Sequence, residues 1–427
     1  MDTRTRIRST AIRTFASERY LRLLRAKARI MRKLRGAPPA VHYFHQVDDP
    51  YSHLAVQKLD ELKAAYDIPF HVHLTAKPPA EFQGSSEHFD QWALRDALSV
   101  ADDYGTSLQV TRPPRAESVD AANNRLAAQV DQPEFASRAI ETGSLLWSDR
   151  LDAEALSSGA ATAVQNGTAL RTKRGHYQGA MFYFDGEWFW GIDRIRLLEA
   201  RLIEERFGNG PIRVPEPTPA DSSGLDASHV VLEYFPSLRS PYTAVGHQRV
   251  LDLIARSGVT VRLRPVMPML MRGIPAPFAK QQYIITDSAR EARARGVPFG
   301  RIVDPFGEPV KRAFALFPAA VALGRGMEFV TEYLSAAWAE GIDIADAKSD
   351  GLRHVAARAG IDWNALQSAA RDTDWESLLE SNVNDMLAAG LWGVPSFRVS
   401  GGAIESDYAC WGQDRIWRIE NEIVRRA

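Results

Sequence analysis

Short apolar runs come in matched pairs along this chain. VHYFH (41–45) and IPFHVHL (68–74) make one pair, and VVLEYF (230–235) and VTVRLRPV (259–266) the other. Their length and their β-branched and aromatic content predict buried strands. The first run of each pair leads into Asp/Ser-Pro-Tyr-Ser/Thr, as DDPYSHLAV (48–56) and LRSPYTAVG (238–246). A polar residue followed by proline is a helix start, with the polar side chain capping and the proline at the first helical position. Strand, helix, strand then predicts a parallel unit in each half.

The back ends match as well. FYFDGEWFWGIDRIRLLEARL (182–202) and FRVSGGAIESDYACWGQDRIWRIENEI (397–423) share Trp-Gly-x-Asp-Arg-Ile at 190–195 and 411–416. Each predicts a strand hairpin, turned at DGE or SGG, and a closing helix. The front ends lie 191 positions apart (49 to 240) and the back ends 221 (190 to 411), so the second copy carries about 30 more residues inside. That interior, at 311–339 and 351–391, is rich in Ala, Leu, Glu and Arg with apolar periodicity, and predicts helices. Between the copies, GNGPIRVPEPTPADSSG (208–224) reads as a semi-rigid, solvent-facing linker because its four prolines fix φ and remove donors.

Charge adds a further segment. The first 36 residues carry ten Arg and two Lys against Asp2 and Glu18, a net +10, whereas the whole chain sums to −1. Ile7, Phe15, Leu21, Leu24, Met31 and Leu34 recur at loose helical spacing, which predicts one basic amphipathic helix ending before Pro38-Pro39. A solvated helix packed on the body fits this segment, as do a membrane-surface contact, nucleic acid and an organellar presequence. No compact apolar core follows the arginines, so a secretory signal is not expected. The expected organisation is 1–37 basic helix, 40–206 first copy, 207–228 Pro-rich linker and 229–427 second copy.

Composition narrows the chemistry. At 427 residues with 45% hydrophobic and 25% charged residues, the chain has the make-up of an ordinary globular protein, and its length favours two domains. One cysteine, Cys410, excludes an intrachain disulfide and a Cys-x-x-Cys redox pair, and fits a reducing, cytoplasmic setting. Five of the ten histidines (His42, His45, His53, His71, His73) fall within 33 residues. His71 and His73 share a strand face, but no Cys accompanies them and no metal is expected. Walker A, His-Glu-x-x-His and Gly-x-Ser-x-Gly templates are all absent.

In the second copy SPYT (240–243), LRPVMPMLMRG (263–273), PAPFAKQQYIITD (275–287), LWGVPSF (391–397) and WGQDRI (411–416) occur in order over nearly all of 229–427. This resembles the DsbA-like group that contains 2-hydroxychromene-2-carboxylate isomerases and kappa-class glutathione transferases. The first copy resembles it mainly at its two ends. The resemblance implies an α/β fold of two tandem thioredoxin-like (DsbA-type) domains, each with an inserted helical subdomain, able to pair as a pseudo-dimer within one chain or as a homo-oligomer.

It also implies glutathione as cofactor and a small, partly aromatic electrophile as substrate, with no specific nucleic acid partner. In that group a serine replaces the redox cysteine, and Ser240 matches it. Pro395 matches a cis proline that leaves the backbone of Val394 open to the cofactor. Gln413 and Asp414 match the pair at its γ-glutamyl end, and Tyr242 and Lys280 would face the substrate. Helix capping remains an equal account of Ser240 and Asp414. A departure is Met267, Met269 and Met271 where relatives often carry an Asn; these methionines read as core. In the first copy, Asp49 replaces the serine and Ala180 the proline. The competing functions are a non-catalytic binding or scaffold protein and, disfavoured by the absent Cys pair, a thiol–disulfide oxidoreductase.

Overall fold

The computed structural model describes residues 1–84, 86–130 and 132–427. They form two compact units with interleaved sequence. One comprises Arg22–Pro217 with Ala276–Tyr283, the other Met1–Leu21, Thr218–Pro275 and Ile284–Ala427.

In the unit built on Arg22–Pro217, strands β1 (Val41–His45), β2 (Phe70–Leu74), β3 (Met181–Phe184) and β4 (Glu187–Trp190) form a sheet of order β2-β1-β3-β4. β1 and β2 run parallel, with Val41 beside Phe70, and the other pairs are antiparallel. Asp185 and Gly186 turn the β3–β4 hairpin at φ 36° and 95°, which favours the Asp-Gly pair found there. The histidines on this sheet lock to one another. Arg174 can only donate, so its 3.0 Å contact makes His42 Nε2 an acceptor and puts the His42 proton on Nδ1, which donates to His73 Nε2 at 2.9 Å. Burial, helped by Arg174, drives the His42 pKa down to about 2.

The other unit repeats this order. β5 (Val230–Phe235), β6 (Thr260–Leu263), β7 (Ser396–Gly401) and β8 (Tyr408–Trp411) form a sheet of order β6-β5-β7-β8, again with one parallel pair and two antiparallel ones. The SGG turn is not a tight hairpin here: Gly401 still pairs with Val230, and the chain loops before Tyr408. The predicted interior helices are present, and their core is centred on Phe314, Phe329, Tyr333 and Trp338, with Met267 and Met271 packed against it.

Two expectations change. The basic N-terminal segment is two helices, α1 (Thr3–Ala16) and α2 (Glu18–Leu34). Ser17 separates them in an extended conformation, and its hydroxyl accepts from Tyr20 N at 3.1 Å, capping the second helix as it ends the first. The Pro-rich linker is also more packed than its composition predicts. Val214 and Ser222 are buried, because Glu199 accepts the N–H groups of Arg213 and Val214 and Glu420 accepts the Ser222 hydroxyl.

Candidate functional site

The Ser-Pro start opens helix α6 (Pro241–Ser257); the helices labelled before it are α3 (Pro50–Val56), α4 (Ser86–Val100) and α5 (Ile195–Glu204). Ser240 is the N-cap, at φ −102° and ψ 118°. Its Oγ accepts from Thr243 N at 3.1 Å and donates to Val394 O at 3.4 Å. The first bond is an ordinary cap; the second is at the long limit for a hydroxyl donor and is therefore weak. Thr243 is fully buried, and its Oγ1 accepts from Ser237 N at 3.3 Å, so the loop and the first helical turn are tied together.

Arg239, just before the cap, grips the buried Asp304 with two nitrogens at 2.6 and 3.2 Å. Arg8 of α1 reaches the same carboxylate at 3.0 Å. A planar guanidinium on a carboxylate in this fork geometry holds direction as well as charge.

Val394–Pro395 is a cis peptide, as the family resemblance implies. It precedes β7, where Gly412 N donates to Pro395 O at 2.9 Å. Gly393 is required here by close approach: a Cβ on it would lie 2.2 Å from the Trp411 ring. Trp411 packs on Trp392 with ring centroids 4.8 Å apart, and Arg272 Nη2 donates to Trp392 O at 2.7 Å. Burial lowers the Arg272 pKa to about 10, which still leaves it cationic at neutral pH.

The other expected residues divide. Tyr242 donates from Oη to Asp287 at 2.9 Å, and Arg290 meets the second oxygen of that buried carboxylate at 2.5 Å. These partners lie on helix α7 (Phe278–Ala294). Gln413 is fully buried: its amide engages Arg249, Asp414 and Glu291, so its side chain braces helix α6 rather than facing solvent. Gly246 permits this, since a Cβ there would come within 2.8 Å of Gln413 Cβ. Asp414 is half-buried at the start of the last helix, α8 (Ile416–Arg426). Lys280 groups instead with the other unit, within Ala276–Tyr283, where burial lowers its pKa to about 8. Ser240, Val394 and Pro395 are thus brought together, Tyr242 is turned to Asp287, and Lys280 stands on the same helix as Asp287 but in the segment grouped with the other unit.

Sequence reasoning missed Arg239, Arg272 and the Tyr242–Asp287 pair. The last was detectable, because Tyr51 Oη donates to Asp96 at 2.6 Å in the first half, and both pairs stand at the offset that relates Asp49 to Ser240. Cys410 is buried in β8, and among the described residues no group of His, Cys, Asp and Glu is arranged to hold a metal ion.

Comparison with known proteins agrees with the second sheet. Residues 231–424 match the family model described as DSBA-like thioredoxin domain. No curated protein matches the chain. Among solved structures, a 2-hydroxychromene-2-carboxylate isomerase is 20% identical over 46% of this chain and 95% of its own, with a TM-score of 0.37. The cytosolic disulfide reductase DsbM from Pseudomonas aeruginosa is 20% identical over 46% and 98%, at 0.35. The same reductase with GSH is 20% identical over 46% and 100%, at 0.32. Residues 231–424, with the Ser240 loop near one end and the Asp414 turn near the other, are a DsbA-like thioredoxin domain.

Proposed function

We propose that the DsbA-like half binds glutathione and acts as an isomerase or transferase on a small conjugated electrophile. The observation that carries this reading is the Ser240 hydroxyl, capping a 17-residue helix with its hydrogen committed only to Val394 O at 3.4 Å. An arriving sulfur can take that hydrogen at little cost. The N-terminal end of a long helix also favours the thiolate over the thiol. In this proposal the backbone of Val394 pairs with the cysteinyl part of the cofactor, and Asp414 accepts from its ammonium group.

The reaction balances without an added oxidant. The thiolate adds to the alkene carbon conjugated with a carbonyl, and the electron pair moves to the carbonyl oxygen as an enolate. The former double bond, now single, rotates; the enolate then collapses and expels the thiolate. Retention of the sulfur with protonation of the enolate gives transfer instead. A reducing cytoplasm, which would supply the thiol, belongs to the same proposal.

Specific binding should raise the melting temperature as glutathione is titrated, and no shift at millimolar glutathione would sink this reading. The thiol pKa of bound glutathione, followed by thiolate absorbance, should rise in Ser240→Ala. An unchanged value removes Ser240 from the chemistry.

A second reading is a binding or scaffold protein without catalysis. It is favoured by Gln413, whose full burial and bonds to Arg249 and Glu291 withdraw it from any ligand. The glutathione titration separates the two. Disulfide exchange is the poorest reading, since Cys410 has no second cysteine in the sequence.

A further inference from the structure

Helix α2 is turned inside out. The side chains that fasten it to its unit are charged: Arg25 reaches Glu187 at 2.6 Å, Arg29 reaches Glu205 at 2.5 Å, and Arg32 meets both oxygens of Asp185 at 3.0 Å. Asp185 and Glu187 are buried, so these ion pairs seat the helix firmly. No residue of α2 is buried.

Leu21 and Leu24 are half-buried, but three of its large apolar side chains point the other way. Leu23, Ile30 and Leu34 are 59%, 57% and 75% exposed. At about 100° per residue they fall within about 40° of arc, roughly opposite the three seated arginines. Exposed Lys27 and Lys33 border this stripe on its two sides, and exposed Arg35 follows its end. Between positions 22 and 36 there is no acidic residue.

We infer that this outer face of α2 docks on an anionic lipid bilayer, lying in the interface with its apolar stripe in the acyl boundary and its cations among the headgroups. Charge selects this occupant. A bare apolar stripe fits any hydrophobic partner, but one rimmed only by Lys and Arg matches a surface that is apolar beneath and negative above. A second copy of the chain would set Lys27 and Lys33 against like charges across the contact. Nucleic acid would leave Leu23, Ile30 and Leu34 in water, and the one aromatic ring of α2, Tyr20, packs edge-on against Phe15 rather than standing free for stacking. Among the described residues no helix is long and apolar enough to cross a membrane, so α2 would lie on the surface rather than span it.

The test is flotation of the full chain with vesicles of equal parts phosphatidylglycerol and phosphatidylcholine, alongside vesicles of phosphatidylcholine alone. The expected result is co-flotation with the anionic vesicles only, weakened by salt. Each neutralised cation should lower partitioning about fivefold. Leu23→Ser/Ile30→Ser/Leu34→Ser should abolish binding, and Lys27→Glu/Lys33→Glu should do so separately. All five side chains are exposed, and unchanged thermal unfolding verifies that each variant is folded. Absence of flotation at low salt overturns the proposal. So does binding that survives the triple serine variant, or retention by an oligonucleotide without retention by vesicles. Concentration-dependent dimerisation that the serine variant removes would reassign the stripe to self-association and equally overturn it.

Discussion

The loops at Asp49 and Ser240 have nearly the same backbone and opposite chemistry. Their cap residues sit at φ/ψ −104°/117° and −102°/118°. In both, a hydroxyl three residues on accepts the backbone N–H of the residue three before the cap: Ser52 from Gln46 at 3.2 Å, Thr243 from Ser237 at 3.3 Å. In both, the glycine of the shared Trp-Gly pair donates to the residue opposite, to Ala180 at 2.8 Å and to Pro395 at 2.9 Å.

The difference lies in what each cap does with its remaining capacity. Asp49 is buried and accepts from Tyr51 N, Ser52 N and Ser52 Oγ, so its oxygens face inward onto its own turn. Burial nevertheless lifts its pKa to about 7. Ala180, in place of proline, keeps an N–H and spends it on Ser52 Oγ at 2.8 Å. Ser240 keeps one donor on a weak bond, next to a proline with nothing to donate. One loop is closed on itself by hydrogen bonds; the other retains a hydrogen that can be reassigned. Under the proposed glutathione reading, the side chain at the cap and not the backbone would decide which loop can meet a thiol.

The largest test of this contrast is the pH dependence of stability. Asp49 titrates near 7 when folded and near 3.8 when unfolded, so between these values the native state holds a proton that the unfolded chain has released. Stability should therefore fall as pH rises through that window, by at most about 4 kcal/mol from this group. Urea unfolding at a series of pH values should show a flatter slope in Asp49→Asn, and a slope equal to that of the parent would break the assignment. Next in size are Tyr51→Phe and Tyr242→Phe. Each removes a hydroxyl from a buried carboxylate, at an expected cost of about 1–3 kcal/mol read from denaturant midpoints. A neutral result in one half alone would end the equivalence of the two Tyr–Asp pairs. Smallest in stability is Ser240→Asp, because the two side chains cap about equally well, within ~0.5 kcal/mol. Above about pH 8, where a carboxylate raised like that of Asp49 is ionised, it should still abolish the glutathione-induced rise in melting temperature, since an ionised carboxylate repels a thiolate and has no hydrogen to give. A retained shift would mean that the cap is not the thiol site.

Strand pairing and helix starts were legible because they depend on local rules: an apolar run, a capping residue, a proline at the first helical position. The offset of 191 between the Asp49 and Ser240 loops was legible for the same reason, and the Tyr51–Asp96 and Tyr242–Asp287 pairs keep it as far as α4 and α7, where no shared motif marks it. What the sequence hid was direction. Gln413 has the residue type of a ligand contact, yet the close approach allowed by Gly246 turns it inward to Arg249. Lys280 sits among family-like residues but packs with the unit formed by the first half. The break at Ser17 depends on one hydroxyl serving two helices, which helical periodicity does not register.

The interleaving of the two units has a consequence for how this protein is made and divided. Residues 1–21 are made before Arg22–Pro217, yet the unit they belong to also includes Ile284–Ala427. Ala276–Tyr283 emerges long after Arg22–Pro217, the segment it joins. The unit built on Arg22–Pro217 is complete only once residue 283 has been made, and the other unit, begun before it, is complete only with Ile284–Ala427, so the two are synthesised interleaved rather than one after the other. For the same reason a single cut in the linker yields two fragments that each lack part of themselves. Expression of either half alone should give a less stable product than its share of the whole.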